Sequence, residues 1–284
     1  MGPIAITFLR GRSGRQRSEE GMGMSESVVA KLAALLKPNG RALCAWTSMY
    51  EPAIAELLAR EDFDAVVLDM QHGALDFAGA SRAILSVALA GKPAIVRVPV
   101  GDLALASRLL DAGASGIVAP MINSVDDARR FVEFTKFPPL GERSWGPRAA
   151  LTLSGLEGSG YLGAANAMTQ SIAMIETRAA LAALDDILAV EGVDGVLIGP
   201  SDLSITLSEG RKVEPRGGDV FNEIPRIVAR AKAHGKYAGM VCPDGADAHA
   251  MLALGFRLCS VSSDLLLLRK AARAELAAAR APGP

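Results

Sequence analysis

Four short polar clusters in the 284-residue chain could do chemistry, and each closes a β-prone run. They are Asp69-Met70-Gln71-His72, Arg97, Glu176-Thr177-Arg178, and Ser201-Asp202 after Gly199-Pro200. Two carboxylates, Glu176 and Asp202, suit a hard divalent cation and leave positions open on it for other oxygens. A histidine beside a carboxylate, His72 with Asp69, suits proton transfer. Arg97 is flanked by Val96 and Val98, so strand alternation points it into a closed sheet or between sheet and helices. Burying it without a partner would cost several kcal/mol. Ser201, Trp46 and Gln71 complete the candidates as substrate-binding residues, although Trp46, like Trp145, could equally be a core residue. Each member also has a plainer role. Glu176 and Asp202 could cap the helices that follow them, and Asp69 could bind loop amides. His234 and His249 fall in amphipathic stretches and read as surface or helix-end residues.

The elements that position these clusters alternate. β-prone runs at 41–46, 64–69, 94–98, 116–120, 171–176, 195–199, 237–241 and 257–261 are separated mostly by amphipathic helical patterns. These include 77–90, 103–112, 125–134, 178–188, 224–234 and 246–254. Apolar runs joined by helices predict a parallel sheet covered on both sides. Eight such units predict an α/β fold of a single (β/α)8 TIM barrel, whose active site lies at the C-terminal ends of its strands. A doubly wound open sheet is the alternative. The first run lacks the glycine-rich turn that fold usually carries, since it is followed by Thr47-Ser48-Met49. A long insertion at 138–167, rich in glycine, precedes the fifth run and is expected to be functional or interfacial. Residues 11–23 are rich in Gly, Arg, Ser and Glu, so residues 1–24 are expected to be a disordered N-terminal extension to a barrel at 25–284. Translation from Met22 or Met24 would explain that tract most simply. Its apolar segment at 4–9 precedes the basic residues, the reverse of a secretory signal.

Composition narrows the function classes. Lys plus Arg number 30 against 31 Asp plus Glu, a net charge of −1, so nothing favours nucleic acid or an anionic membrane. Apolar runs such as 65–68 and 265–268 fall far short of the roughly 18–20 residues a membrane helix needs. Three cysteines without CxxC spacing, Cys44, Cys242 and Cys259, suggest buried reduced thiols and a cytoplasmic protein. Gly155, Gly158, Gly160 and Gly163 lack the strand–turn–helix setting of a nucleotide loop.

Taken together, the segments DAVVLDMQHG (64–73), IVRVP (95–99), GASGIVAP (113–120), GERSWGPR (141–148), MIET (174–177) and GPSDLS (199–204) carry a resemblance. From about residue 35 to 267 the chain resembles the HpcH/HpaI aldolase family. These are metal-dependent, pyruvate-forming aldolases that include 4-hydroxy-2-oxoheptanedioate and 2-keto-3-deoxy sugar acid aldolases. The resemblance implies that Glu176 and Asp202 are metal ligands for Mg2+ or Mn2+, with Co2+ also admissible. It implies that His72 is the catalytic histidine, that Asp69 orients it, and that Arg97 contacts the substrate's oxo oxygen. Backbone N–H groups near Ser201 and Asp202 would suit the substrate carboxylate. Two positions depart from some members: Gln71 stands where a Glu helps hold metal-bound water, and Met174 where a Gln is found. Both bear on the water network and substrate preference.

The reaction implied is reversible retro-aldol cleavage of a 4-hydroxy-2-oxo acid to pyruvate and an aldehyde. A Schiff-base route would need a strand-end lysine, and the lysines fall mostly in helices and loops. The alternatives are an acyl-CoA lyase of the citrate lyase beta or malyl-CoA lyase type, a phosphate-sugar isomerase, and a non-catalytic binding protein. The family also implies a homo-oligomer, a trimer or a hexamer of two trimers, with C-terminal helices exchanged. An apolar C-terminal helix closing its own barrel is an equally natural reading of residues 265–268.

Overall fold

The computed structural model describes residues 27–281 except Tyr50, so the extension expected at 1–24 lies outside the described residues. Eight parallel strands close in sequence order, with the last pairing to the first: β1 (Ala42–Thr47), β2 (Ala65–Asp69), β3 (Ala94–Arg97), β4 (Gly116–Ala119), β5 (Gln170–Ile175), β6 (Gly195–Ile198), β7 (Tyr237–Met240) and β8 (Leu258–Ser260). Helices follow each strand on the outside, which makes the fold a (β/α)8 barrel. Every expected β-run is a strand, with each end moved by at most one residue: β1 and β5 are shifted by one and the others are trimmed.

The strands are apolar on both faces, as buried parallel strands must be. One alternate set points inward: Cys44, Trp46, Val67, Ile95, Val118, Ile172, Met174, Leu197, Tyr237 and Leu258 pack together. Leu32 and Leu36, from the first helix (Val28–Leu35) and its end, join that cluster. Leu32 meets Gly116, the first residue of β4, so this helix plugs the N-terminal end of the barrel. The other set, including Val66, Leu68, Val96, Ile117, Ile175 and Ile198, packs outward against the helices. The inward column therefore ends, at the opposite mouth, on Trp46, Asp69 and Arg97, with Glu176 just beyond β5 in the same alternation. The register pairs Asp69 with Arg97 directly.

The insertion at 138–167 is a loop only over 138–147 and at the joint 155–157. It forms two helices, Arg148–Ser154 and Gly158–Met168, that pack on the first helix at the plugged end, away from the mouth. Tyr161, Ala164, Ala165 and Met168 bury one face there with Phe137. Lys136 is the buried lysine among the described residues. Its Nζ is tied at this same end to the carbonyls of Asn166 (2.8 Å) and Thr169 (2.7 Å) and to Asp194 Oδ2 (2.7 Å). All three cysteines are buried and unpaired. No helix among the described residues is long and apolar enough to cross a membrane.

The last helix, Asp264–Ala279, buries only its first residue. Leu265, Leu266, Leu268 and Leu276 are each about half exposed or more. It therefore does not close its own barrel with an apolar face.

Candidate active site

The site is built from the mouth inward. Asp69 ends β2 beside Arg97, and the two side chains meet in a bidentate pair: Nε donates to Oδ1 at 2.9 Å and Nη2 to Oδ2 at 2.6 Å. Trp46 completes the unit. Its indole Nε1 donates to Asp69 Oδ2 at 3.3 Å, and the guanidinium carbon stands 5.0 Å from its ring centroid. Burial would raise the Asp69 carboxyl, but the hydrogen bond and charge of Arg97, with help from the His72 N–H and the indole, hold it below the usual carboxylate range. The partner that a buried Arg97 demands is thus Asp69.

This pairing changes what Asp69 does for His72. Asp69 Oδ1 also accepts the backbone N–H groups of Gln71 (3.0 Å) and His72 (3.3 Å). The imidazole makes no hydrogen bond to Asp69 or to any other described residue, and His72 is exposed at the lip. The structure shows Asp69 fixing the main chain under His72 rather than the ring, because its side-chain contacts go to Arg97 and Trp46. Gln71 Oε1 is buried beside them without a partner.

Across the mouth, Glu176 is buried. Its Oε1 accepts the N–H of Met121 at 2.7 Å, and Met121 sits at φ 54°, a left-handed conformation uncommon for such a residue. Its Oε2 is buried without a partner. Burial raises the Glu176 carboxyl, the Met121 N–H opposes this, the charge of Asp202 adds to the rise, and Arg97 opposes it more weakly. Glu176 is not a helix cap: Thr177 caps the next helix by accepting the Ala180 N–H at 3.0 Å. Asp202 lies in the first turn of the helix Pro200–Leu207, half-buried, and makes no capping hydrogen bond. Gly199 separates the two carboxylate elements, and a Cβ there would fall 2.3 Å from Glu176 Oε2.

A cleft of about 400 Å³ opens over the strand ends, lined among others by Trp46, Asp69, His72, Ser201, Arg216 and Leu266. Larger grooves lie against the outer helices and the plugged end. Reasoning from sequence missed one organiser of this mouth. Asp264 is buried and accepts the N–H groups of Ser48 and Met49 (both 2.9 Å), the Ser48 hydroxyl (2.9 Å) and the Leu265 N–H (2.7 Å). It ties the loop after β1 to the segment after β8. The buried position of an acid beside Ser262-Ser263 carries no local sequence signal.

The profile of the HpcH/HpaI aldolase/citrate lyase family matches residues 42–271. The chain belongs to this family. It is 42% identical over 240 residues to a hydroxypyruvate/pyruvate aldolase of Rhizorhabdus wittichii, covering 84% of this chain and 94% of that protein. It is 33% identical over 236 residues to a 5-keto-4-deoxy-D-glucarate aldolase of Salmonella gallinarum, covering 83% of this chain and 91% of that one. The crystal structure of an HpcH/HpaI aldolase/citrate lyase family protein from Burkholderia cenocepacia superposes with a TM-score of 0.80 at 32% identity, covering 89% of this chain and all of that one. As an HpcH/HpaI family member the chain is an aldolase-type lyase. No group of three or more His, Cys, Asp or Glu side chains among the described residues is placed to hold a metal. The chain offers two carboxylates, Glu176 just after β5 and Asp202 in the first turn of the helix that follows the adjacent β6.

Proposed function

We propose that the protein is a divalent-metal-dependent aldolase that reversibly cleaves a 4-hydroxy-2-oxo acid to pyruvate and an aldehyde. The observation that carries this reading is Glu176 Oε2. A carboxylate oxygen buried without a partner, with the charge of Asp202 acting on it and no room for a side chain at Gly199 beside it, is a cost unless a cation is its partner. Glu176 and Asp202 would hold Mg2+ or Mn2+, with Co2+ admissible, and the ion would supply Lewis-acid polarisation of the 2-oxo group.

The chain's own residues do the rest. Backbone N–H groups of Ser201 and Asp202, at the start of an eight-residue helix, receive the substrate carboxylate. Arg97 is clamped through Nε and Nη2, while its Nη1 has no hydrogen bond to a described residue. That donor faces the charge that grows on the oxo oxygen as the C3–C4 bond breaks. Trp46, against the guanidinium, and Gln71, whose N–H is held by Asp69, complete the substrate-binding set. His72, at the lip, takes the proton from the C4 hydroxyl. Lys136 is sequestered at the far end of the barrel, which speaks against a Schiff base. The names of the relatives extend the nucleophile to hydroxypyruvate as well as pyruvate. The exposed leucines of the C-terminal helix support a homo-oligomer, a trimer or hexamer.

The test is pyruvate release from a panel of 4-hydroxy-2-oxo acids, coupled to lactate dehydrogenase, with and without EDTA. Release that depends on added Mg2+ or Mn2+, and that resists borohydride trapping, is expected. No pyruvate from any substrate with metal bound would shift the reading to an acyl-CoA lyase. Failure to bind metal would refute it.

A further inference from the structure

The far end of the cleft carries an ion pair that the proposed reaction does not use. Arg216 lies in the segment between the helices Pro200–Leu207 and Gly218–Ala233 and lines the cleft with Pro215, Val241 and Pro243. Among the described lining residues it is the only arginine or lysine. Its Nη2 donates to the carboxylate of Asp247 and to the Val241 carbonyl (3.1 Å). Its Nη1 reaches only the neighbouring Pro215 carbonyl at 3.3 Å, and its Nε is buried without an acceptor. Asp247 is therefore the main restraint on the guanidinium. Asp247 itself is held in place: it lies in the first turn of the helix Gly245–Ala253, and its N–H is capped by Asp244 at 2.9 Å. The side chains of Arg216 and Asp247 are 25% and 16% exposed, so neither charge is freely hydrated.

The proposed reaction holds the carboxylate end of a 4-hydroxy-2-oxo acid at Glu176, Asp202 and Arg97, and the cleft runs from Asp69, His72 and Ser201 to Arg216 and the residues after β7 and β8, so an aldehyde-derived half that follows the cleft reaches Arg216. We propose that the Arg216–Asp247 pair sets the charge preference for the aldehyde, favouring neutral hydroxylated aldehydes over those ending in a carboxylate. This rests on the aldolase reading above. With the pair closed, the wall is locally neutral. A distal carboxylate either meets, through Nη1, a guanidinium whose charge Asp247 already offsets, or draws Arg216 away from Asp247 and leaves that acid half-buried and unpaired. A hydroxyl needs no such exchange and sheds its hydration at less cost. Specificity here comes from a cation already occupied by its own counter-ion.

The test runs in the condensation direction, with pyruvate and two four-carbon acceptors: D-erythrose, neutral and hydroxylated, and succinic semialdehyde, which ends in a carboxylate. The readout is the ratio of kcat/KM for the two, taken within one preparation of the full-length enzyme, so loss of folded protein cancels. The wild type is expected to favour erythrose. Asp247→Asn frees a charged donor and should move the ratio toward the semialdehyde by roughly tenfold or more, the size of one charge-assisted hydrogen bond. Arg216→Leu leaves Asp247 unpaired and should move the ratio the other way. The double variant should return near the wild-type ratio. A wild type that favours the semialdehyde, or single variants that both leave the ratio unchanged, overturns the proposal. Exchange of the pyruvate methyl protons in D2O, followed by NMR with metal present, separates the two levels. Exchange with an unmoved ratio overturns the charge selection alone, and absence of exchange overturns the aldolase reading and this proposal together.

Discussion

Gly199→Ala adds one methyl group at the point where the two carboxylates approach, and its effect can be worked from the structure. Gly199 sits at φ −93°, a conformation alanine adopts freely, so the penalty is steric rather than torsional. The new Cβ would lie 2.3 Å from Glu176 Oε2, 2.9 Å from Met174 Cε and 3.1 Å from Glu176 Cβ. Ordinary contact begins at 3.4 Å, so Oε2 must retreat by about 1 Å. Both clashing tips belong to flexible side chains, which makes the retreat affordable for the fold. Overpacking of this kind costs about 1–3 kcal/mol, and at about 2–4 °C per kcal/mol for a large domain the melting point should fall by only a few degrees to about ten. The site has less tolerance. Oε1 is anchored on the Met121 N–H at 2.7 Å, so either Oε2 swings away from Asp202 or that hydrogen bond breaks. A misplacement of about 1 Å is worth on the order of 100-fold in rate. The variant should therefore fold, bind Mn2+ at least tenfold more weakly by calorimetric titration, and release pyruvate about 100-fold more slowly. Wild-type Mn2+ affinity and activity in folded Gly199→Ala would refute the assignment of Glu176 Oε2 to a cation.

Two further outcomes follow from the mouth's hydrogen bonds. The Asp69 carboxyl is held below its unfolded value of about 3.9, so its stabilisation is complete above that pH and is lost as pH falls through the folded value. Between pH 7 and pH 3 the urea midpoint should drop less in Asp69→Asn than in the wild type, and equal drops would count against the Arg97–Asp69 pair. Asp264→Ala strips the acceptor from the Ser48 and Met49 N–H groups and from the Ser48 hydroxyl, and should cost about 2–4 kcal/mol in urea unfolding. A loss under about 1 kcal/mol would mean that the β1 loop is held in place by other contacts.

The strands were legible because parallel strands buried on both faces leave short apolar runs bounded by Gly, Pro and Asp, and this chain places such punctuation around every strand but β5, which lies between Thr169 and Glu176. The helices at 148–154 and 158–168 were not legible. Gly155, Gly158, Gly160 and Gly163 read as loop residues, while the buried face that makes the second segment a helix consists of Tyr161, two alanines and Met168. Alanines carry little hydrophobic signal, and the face exists only because the first helix of the barrel covers it. The C-terminal helix was legible as a helix, but whether its leucines face inward is a question of packing that no local pattern answers.

At the site, the positions were legible and the partners were not. Strand ends in a barrel converge, so Asp69, Arg97, Glu176 and Asp202 could be placed at one mouth from their place after apolar runs. Which group Asp69 serves is set by register, a long-range property: Asp69 stands opposite Arg97, while His72 lies three residues down a loop. In the mechanism proposed above, that outcome has a consequence. A donor that must meet a developing oxyanion gains most from being fixed in advance, and Arg97 is fixed through two of its nitrogens by Asp69 and stacked on Trp46. A base that must follow a proton as one molecule becomes two gains from reach, and the His72 ring, exposed at the lip with no protein hydrogen bond among the described residues, has it. If Arg97 and His72 act as proposed, one carboxylate makes the oxyanion donor rigid and, by being fully engaged in doing so, leaves the base free to move.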